Sequence, residues 1–176
     1  VSVIKNSNQR FLFIIFSLAL ICFLMLPFFP GVRAAATDNI AATVTATNLA
    51  VSVSDGTIAF GSVGLNTATS TAGTNETQVV SNDGSDAQLN IKSSNATGGT
   101  TWTLGTSAGS DIFKFETSTT TGSSYMTFQA VDTYLTASST FASLSNGDVD
   151  FRFTTPTDSS DFVEKSVSVT LQVTSL

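Results

Sequence analysis

The feature that most constrains this chain is an alternation of apolar and polar residues with a period of two, recurring throughout residues 40–176. It is cleanest in VSVTLQV, where Val167, Val169, Leu171 and Val173 take one parity and Ser168, Thr170 and Gln172 the other. Successive side chains of a strand point to opposite faces, so such a run sets one apolar row against a core and one polar row in water. The alternation recurs in Leu49, Val51 and Val53; Ile58 and Phe60; Ala87, Leu89 and Ile91; Trp102 and Leu104; Phe113 and Phe115; Met126, Phe128 and Ala130; and Val149, Phe151 and Phe153. Turn formers separate these runs: Asp55–Gly56, Gly61 with Gly64, Asn82–Gly84, Thr97–Gly99 and Asn146–Asp148. About eight to ten short strands follow from this pattern. The expected fold is all-β, an antiparallel β-sandwich of jelly-roll or immunoglobulin-like type. Its expected core is Phe60, Leu89, Trp102, Phe113, Phe115, Phe128, Phe151 and Phe153. The Ser/Thr/Gly stretches 67–75 and 117–124 read as loops, and neither a second domain nor an internal repeat is visible.

The first thirty-odd residues differ in kind. Lys5 and Arg10 lead into FLFIIFSLALICFLMLPFF, residues 11–29, a run of nineteen without a charge, followed by Pro30, Gly31 and VRAAA. A positive lead, an apolar run and small residues predict a secretory signal peptide over residues 1–34. Cleavage is expected after Ala34, with Val32 and Ala34 at −3 and −1, or after Ala36, with Ala34 and Ala36 there. Residues 35–176 then form the mature domain, secreted to the extracellular space or cell surface. The alternative is an uncleaved anchor, since nineteen helical residues at ~1.5 Å each are long enough to span a bilayer. Membrane contact would then run through this segment alone. Ala19, Leu20 and Ile21 before Cys22 make a poor lipobox, which disfavours a lipid-modified cysteine.

Residues 35–176 carry four basic side chains (Lys92, Lys114, Arg152 and Lys165) against thirteen acidic ones, so their net charge is 4 − 13 = −9. Nucleic acids and anionic membrane surfaces need basic patches, so neither is an expected partner. Ser and Thr supply 50 of these 142 residues, which suits solvent-facing strand positions and leaves few cut sites for trypsin-like proteases. The chain has no His, and its one Cys lies in the leader. That removes Ser–His–Asp and Cys–His catalysis and the zinc and copper sites built on those ligands. Asp111, Glu116, Asp148 and Asp150 are the carboxylates available for glycoside hydrolysis. Asp148 and Asp150 flank a strand start, where they are expected to face solvent, and a non-enzymatic protein is expected.

No cofactor is assigned. Calcium is the ion to weigh, because secreted β-sandwiches often carry it on loop carboxylates and carbonyls. Asn82, Asp83 and Asp86, Asn146, Asp148 and Asp150, and Asp158 with Asp161 offer oxygens, but none forms a defined loop motif, and Asn and Asp are also ordinary turn formers. Trp102, Tyr125 and Tyr134 suggest a stacking platform for a glycan, which gives the alternative of a non-catalytic carbohydrate-binding or adhesin domain. Trp102 alternates with Leu104, however, which directs its ring to the core. Asn75 in NET and Asn95 in NAT match the glycosylation sequon.

The opening of the mature chain, IAATVTATNLAVSVS, raises the sharpest question. Ile40, Ala42, Val44 and Ala46 share one parity, whereas Leu49, Val51 and Val53 share the other, and the switch falls at Thr47–Asn48. A strand changes parity only through a bulge, a bend or a change of partner. Two units are therefore expected: a hairpin of residues 49–53 with 57–60 through Asp55–Gly56, and an N-terminal strand over 40–46. That strand either crosses to the other sheet of its own sandwich or leaves the domain to complete an open edge on the next subunit. Edge strands are normally guarded by charge, and VSVTLQV has none, so its edges must be covered or used.

A signal segment, a short N-terminal strand, and then DGTIAFGSVGLN followed by TQVVSNDGSDAQLNIK form a layout that resembles the secreted fibre-forming β-sandwich proteins of the TasA/camelysin kind and the archaeal bundling pilins. The resemblance covers mainly residues 40–92. It implies polymerisation through N-terminal donor strands, here Ile40, Ala42, Val44 and Ala46, with further copies of the chain as partners. Together with the bland hydroxylated surface, it makes a fibre, pilus-like or sheath subunit the expected role.

Overall fold

The computed structural model describes residues 11–21, 38 and 40–176. Two compact units are present, residues 1–44 and 45–176. In the first, residues 11–21 are helical, as an uninterrupted apolar run without Gly or Pro permits. No described helix is long and apolar enough to cross a membrane. Val32, Ala34 and Ala36, on which the cleavage expectation rests, lie outside the described residues.

The second unit is a two-sheet β fold of ten strands: β1 (Val51–Val53), β2 (Ala68–Ser70), β3 (Gln78–Asn82), β4 (Ala87–Ser93), β5 (Thr103–Gly105), β6 (Ile112–Ser118), β7 (Met126–Thr127), β8 (Leu135–Phe141), β9 (Asn146–Thr154) and β10 (Val169–Ser175). The larger sheet runs β1-β3-β9-β6-β5, with β2 also on β9 and β7 also on β6. The smaller runs β10-β4-β8. Apolar rows from both sheets meet in one core, as the alternation requires. Phe113 stacks on Phe153 with ring centroids 5.0 Å apart, and Phe115 stacks on both Phe151 and Phe128 at 5.5 Å. Leu89 and Ile91 of β4 face these rings from the smaller sheet's side of the core and are buried with them.

Several expectations are corrected. Seven of the eight expected core residues are buried, but Phe60 is only partly so. It lies on no strand, because residues 54–60 are held as a loop by Gln78 and Glu76. The Gly56 amide donates to Gln78 Oε1 at 2.9 Å, Gln78 Nε2 donates to the Thr57 carbonyl at 2.9 Å, and the Ala59 amide donates to Glu76 Oε2 at 2.7 Å. The expected 49–53/57–60 hairpin is therefore absent, and β1 pairs with β3 instead (Val51 opposite Asn82). Residues 68–70, expected in a loop, form β2 against Phe153 and its neighbours. Residues 117–118, also expected in a loop, complete β6. One pairing is parallel, β5 with β6. Residues 40–46 form no strand, and residues 40–49 are exposed.

Asn82 fastens the turn that carries the chain from the larger sheet to the smaller. Buried, it donates through Nδ2 to the carbonyls of Phe141 and Ser85 at 2.9 Å and accepts from the Gly84 amide at 3.0 Å. Sequence marked it as a turn former and calcium candidate; the structure uses every polar atom of its side chain internally.

Candidate functional site

The two sheets do not close evenly. On one side, β1 approaches β10, and beside that contact a cleft of about 990 Å³ opens between residues 53–65 and residues 162–171. Its floor is the aromatic row Phe115, Phe151 and Phe153 with Trp102; its walls are Val53, Ile58 and Phe60 on one side and Val167, Val169 and Leu171 on the other. The inward residues of β10 show the consequence. Val173 is buried, but Val169 and Leu171 remain half-exposed, although their parity is that of a core row.

β10 pairs only with β4, over seven consecutive residues from Val169–Ser93 to Ser175–Ala87 without a register shift. Its other edge has no strand partner; β1 approaches part of it, the stretch at Val169 and Leu171 borders the cleft, and residues 166–176 contain no charged side chain. An unpaired, regular, uncharged edge beside an unfilled apolar row is the geometry that accepts an added strand. Ile40 and Val44, with Ala42 and Ala46 the expected donor row, are 95% and 94% exposed.

The loop 158–166, between β9 and β10, borders the cleft and is tied down by polar contacts. Ser159 Oγ accepts from Trp102 Nε1 at 2.8 Å and donates to Asp111 Oδ1 at 3.0 Å. Asp111 also accepts from the amide and hydroxyl of Ser160, and these bonds hold its carboxyl below the usual range. Asp161 accepts from Lys165 Nζ and from the Thr100 amide, and both bonds push its carboxyl well down. Lys165 Nζ also donates to the Thr100 carbonyl at 2.7 Å and lies 5.2 Å from the centre of the Trp102 ring. Sequence singled out Asp111, Asp161 and Trp102 for other chemistry; the structure brings them together as a loop anchor.

The remaining candidates lie elsewhere. On the outer face of the larger sheet, Glu116 is ion-paired to Lys114 Nζ at 2.7 Å and Arg152 Nε at 2.6 Å. Burial alone would raise its carboxyl, but the hydrogen bonds and charges of Arg152 and Lys114 outweigh it and bring the pKa to about 2. Asp150, expected in solvent, is fully buried; its Oδ1 accepts from Thr77 Oγ1 at 2.7 Å and Thr71 Oγ1 at 3.1 Å. The strand alternation that buries Val149, Phe151 and Phe153 turns Asp150 to the other face, and the 71–77 loop covers it there. Asp148 is exposed.

Of the calcium candidates, Asp83 accepts from Ser52 Oγ at 2.6 Å and Asp86 from the Ser143 amide at 2.7 Å. Among the described residues, no group of three or more acidic, His or Cys side chains is placed to hold a metal ion. The three aromatics of the glycan reading are dispersed: Trp102 is buried, Tyr125 packs on Arg152, and Tyr134 faces Lys92 of the smaller sheet.

Comparison of the chain with protein-family models, curated proteins and solved structures gives no match.

Proposed function

We propose that this chain is a secreted, non-enzymatic structural protein of the cell surface, a fibre, pilus-like or sheath subunit. In this reading, residues 1–34 direct export, and each copy gives its segment Ile40–Ala46 to the cleft of the next. The observation that carries the reading is the coexistence in one chain of an exposed alternating apolar row and an apolar cleft with a free β10 edge. Ile40, Ala42, Val44 and Ala46 supply side chains of one parity for the cleft. The backbone of the segment supplies the hydrogen bonds that β10 lacks on that side. Charge favours the same route: copies whose residues 35–176 sum to −9 repel, whereas residues 40–54 and 166–176 are uncharged. A head-to-tail contact of this type does not close on itself, so it propagates as a filament. The resemblance of residues 40–92 to the TasA/camelysin and bundling-pilin layout points the same way.

The test is light scattering with negative-stain microscopy on residues 35–176, beside the double variant Ile40→Asp, Val44→Asp. Both positions are exposed, so the variant is expected to keep the parent's melting temperature while remaining monomeric, and the parent is expected to form fibres. A parent that stays monomeric across salt and concentration, or a variant that polymerises equally well, overturns the reading.

A further inference from the structure

Phe162 and Val163 form the tip of the 158–166 loop at the rim of the cleft, and they are 80% and 56% exposed. Exposed apolar side chains on a loop free to rearrange would carry little meaning, since such a loop can fold its tip away from water. This loop is not free. Its first half is fixed by the Asp158 carbonyl, which accepts from the Asp111 amide at 2.9 Å, and by the Ser159 bonds to Trp102 and Asp111. Its second half is fixed by Lys165 and by the Ser166–Thr97 bridge.

The facing turn is built to admit it. Gly98 and Gly99 have φ of +112° and +58°, and a Cβ on Gly98 would stand 2.2 Å from the Glu164 carbonyl oxygen. A Cβ on Gly99 would stand 2.5 Å from Asp161 Oδ2. Two glycines, an ion pair and a tryptophan N–H thus hold the loop so that its apolar tip stays beside the apolar cleft. An apolar anchor fixed in advance loses little freedom on binding, which is how a few residues come to dominate an interface.

We propose that Phe162 and Val163 form a preset clasp that grips the Ile40–Ala46 segment of a second copy where it lies in the cleft beside β10. The inference rests on the donor-segment reading above and adds a specificity element to it. The occupant is argued from its lack of charge, its alternating row and its exposure. Glu164 beside the tip and the acidic balance of the domain disfavour an anionic amphiphile in the same place.

The experiment uses residues 35–176 as parent, as Phe162→Ser and as Gly99→Ala, which leaves the tip intact but displaces Asp161. Fibre onset concentration is read by light scattering. A synthetic peptide of residues 38–47 is titrated separately, with the emission of Trp102, the chain's one tryptophan and part of the cleft lining, as signal. The expected result is an unchanged melting temperature for Phe162→Ser, an onset concentration raised about tenfold and a similarly weakened peptide. A smaller shift in the same direction is expected for Gly99→Ala. If the parent assembles and binds peptide but Phe162→Ser does both equally well, the clasp is overturned and the donor reading stands. If the parent neither assembles nor binds peptide, both fall.

Discussion

The smaller sheet has two edges, and they are built differently. β8 follows β4 with register shifts between Ala87 and Leu89 and again between Leu89 and Asn90. Bulges of this kind twist an edge and spoil it as a template. β10 follows β4 residue for residue over its whole length, and its inward side chains Val169 and Leu171 are left half-covered. Neither edge strand carries a charge, so the contrast lies in regularity and in what is left to cover. An irregular edge can be left alone, whereas a regular one above an open apolar row presents a site.

The sharpest way to break this comparison is to truncate across one ladder. Ile91 of β4 stands between Leu171 of β10 and Leu135 of β8 and is fully buried. Ile91→Ala is expected to lower the unfolding free energy of the monomer by about 2–5 kcal/mol in urea melts. Leu171→Ala, on the same rung but at the cleft, is expected to cost the monomer under about 1.5 kcal/mol and to affect association far more. Equal monomer losses would mean that Leu171 at the cleft is packed as closely into the core as Ile91. Asn82→Ala comes next, at about 2–3 kcal/mol, because it removes the donor to the buried Phe141 carbonyl and to the half-buried Ser85 carbonyl. The loss should appear in the monomer and equally in the fibre proposed above, since Asn82 lies at a turn away from the cleft lining; a loss confined to assembly would contradict that placement.

The smallest expected effect is in acid. The carboxyl of Glu116 is depressed from about 4.5 to about 2, so the folded state holds it ionised where the unfolded chain takes up a proton. Its stabilisation is full above about pH 4.5 and is lost as the pH falls towards 2. Melting temperature should fall through this window, and Glu116→Gln should flatten that part of the slope. Residues 166–176 contain no titratable side chain, so the β10 edge itself should be unaffected.

The sheets were legible in the sequence wherever one face is apolar. Phe113 and Phe115, Phe151 and Phe153, and Leu89 and Ile91 are buried as their parity requires. Partners were harder to read. Asp55–Gly56 is a hairpin signal by local chemistry, yet Gln78 and Glu76, about twenty residues on, capture the following backbone and override it. Asp150 misled because the alternation that puts it opposite Phe151 says nothing of whether a loop lies over that face. The charge-free edge of VSVTLQV was visible from the start. The cleft beside it was not, because an opening between two sheets is set by contacts distant in sequence.

One feature of the ion pairs bears on behaviour in solution. All four Lys and Arg side chains of residues 40–176 are already matched with a carboxylate: Lys92 with Asp132, Lys114 and Arg152 with Glu116, and Lys165 with Asp161. An approaching copy therefore meets an anionic field with no uncommitted cation to soften it. In dilute water that field reaches about 30 Å at 0.01 M ionic strength, well beyond the reach of any strand edge, while in brine of about 1 M it is confined to about 3 Å. On the strand exchange proposed above, salt in the surrounding medium would therefore set how closely two copies can approach before short-range apolar forces take over.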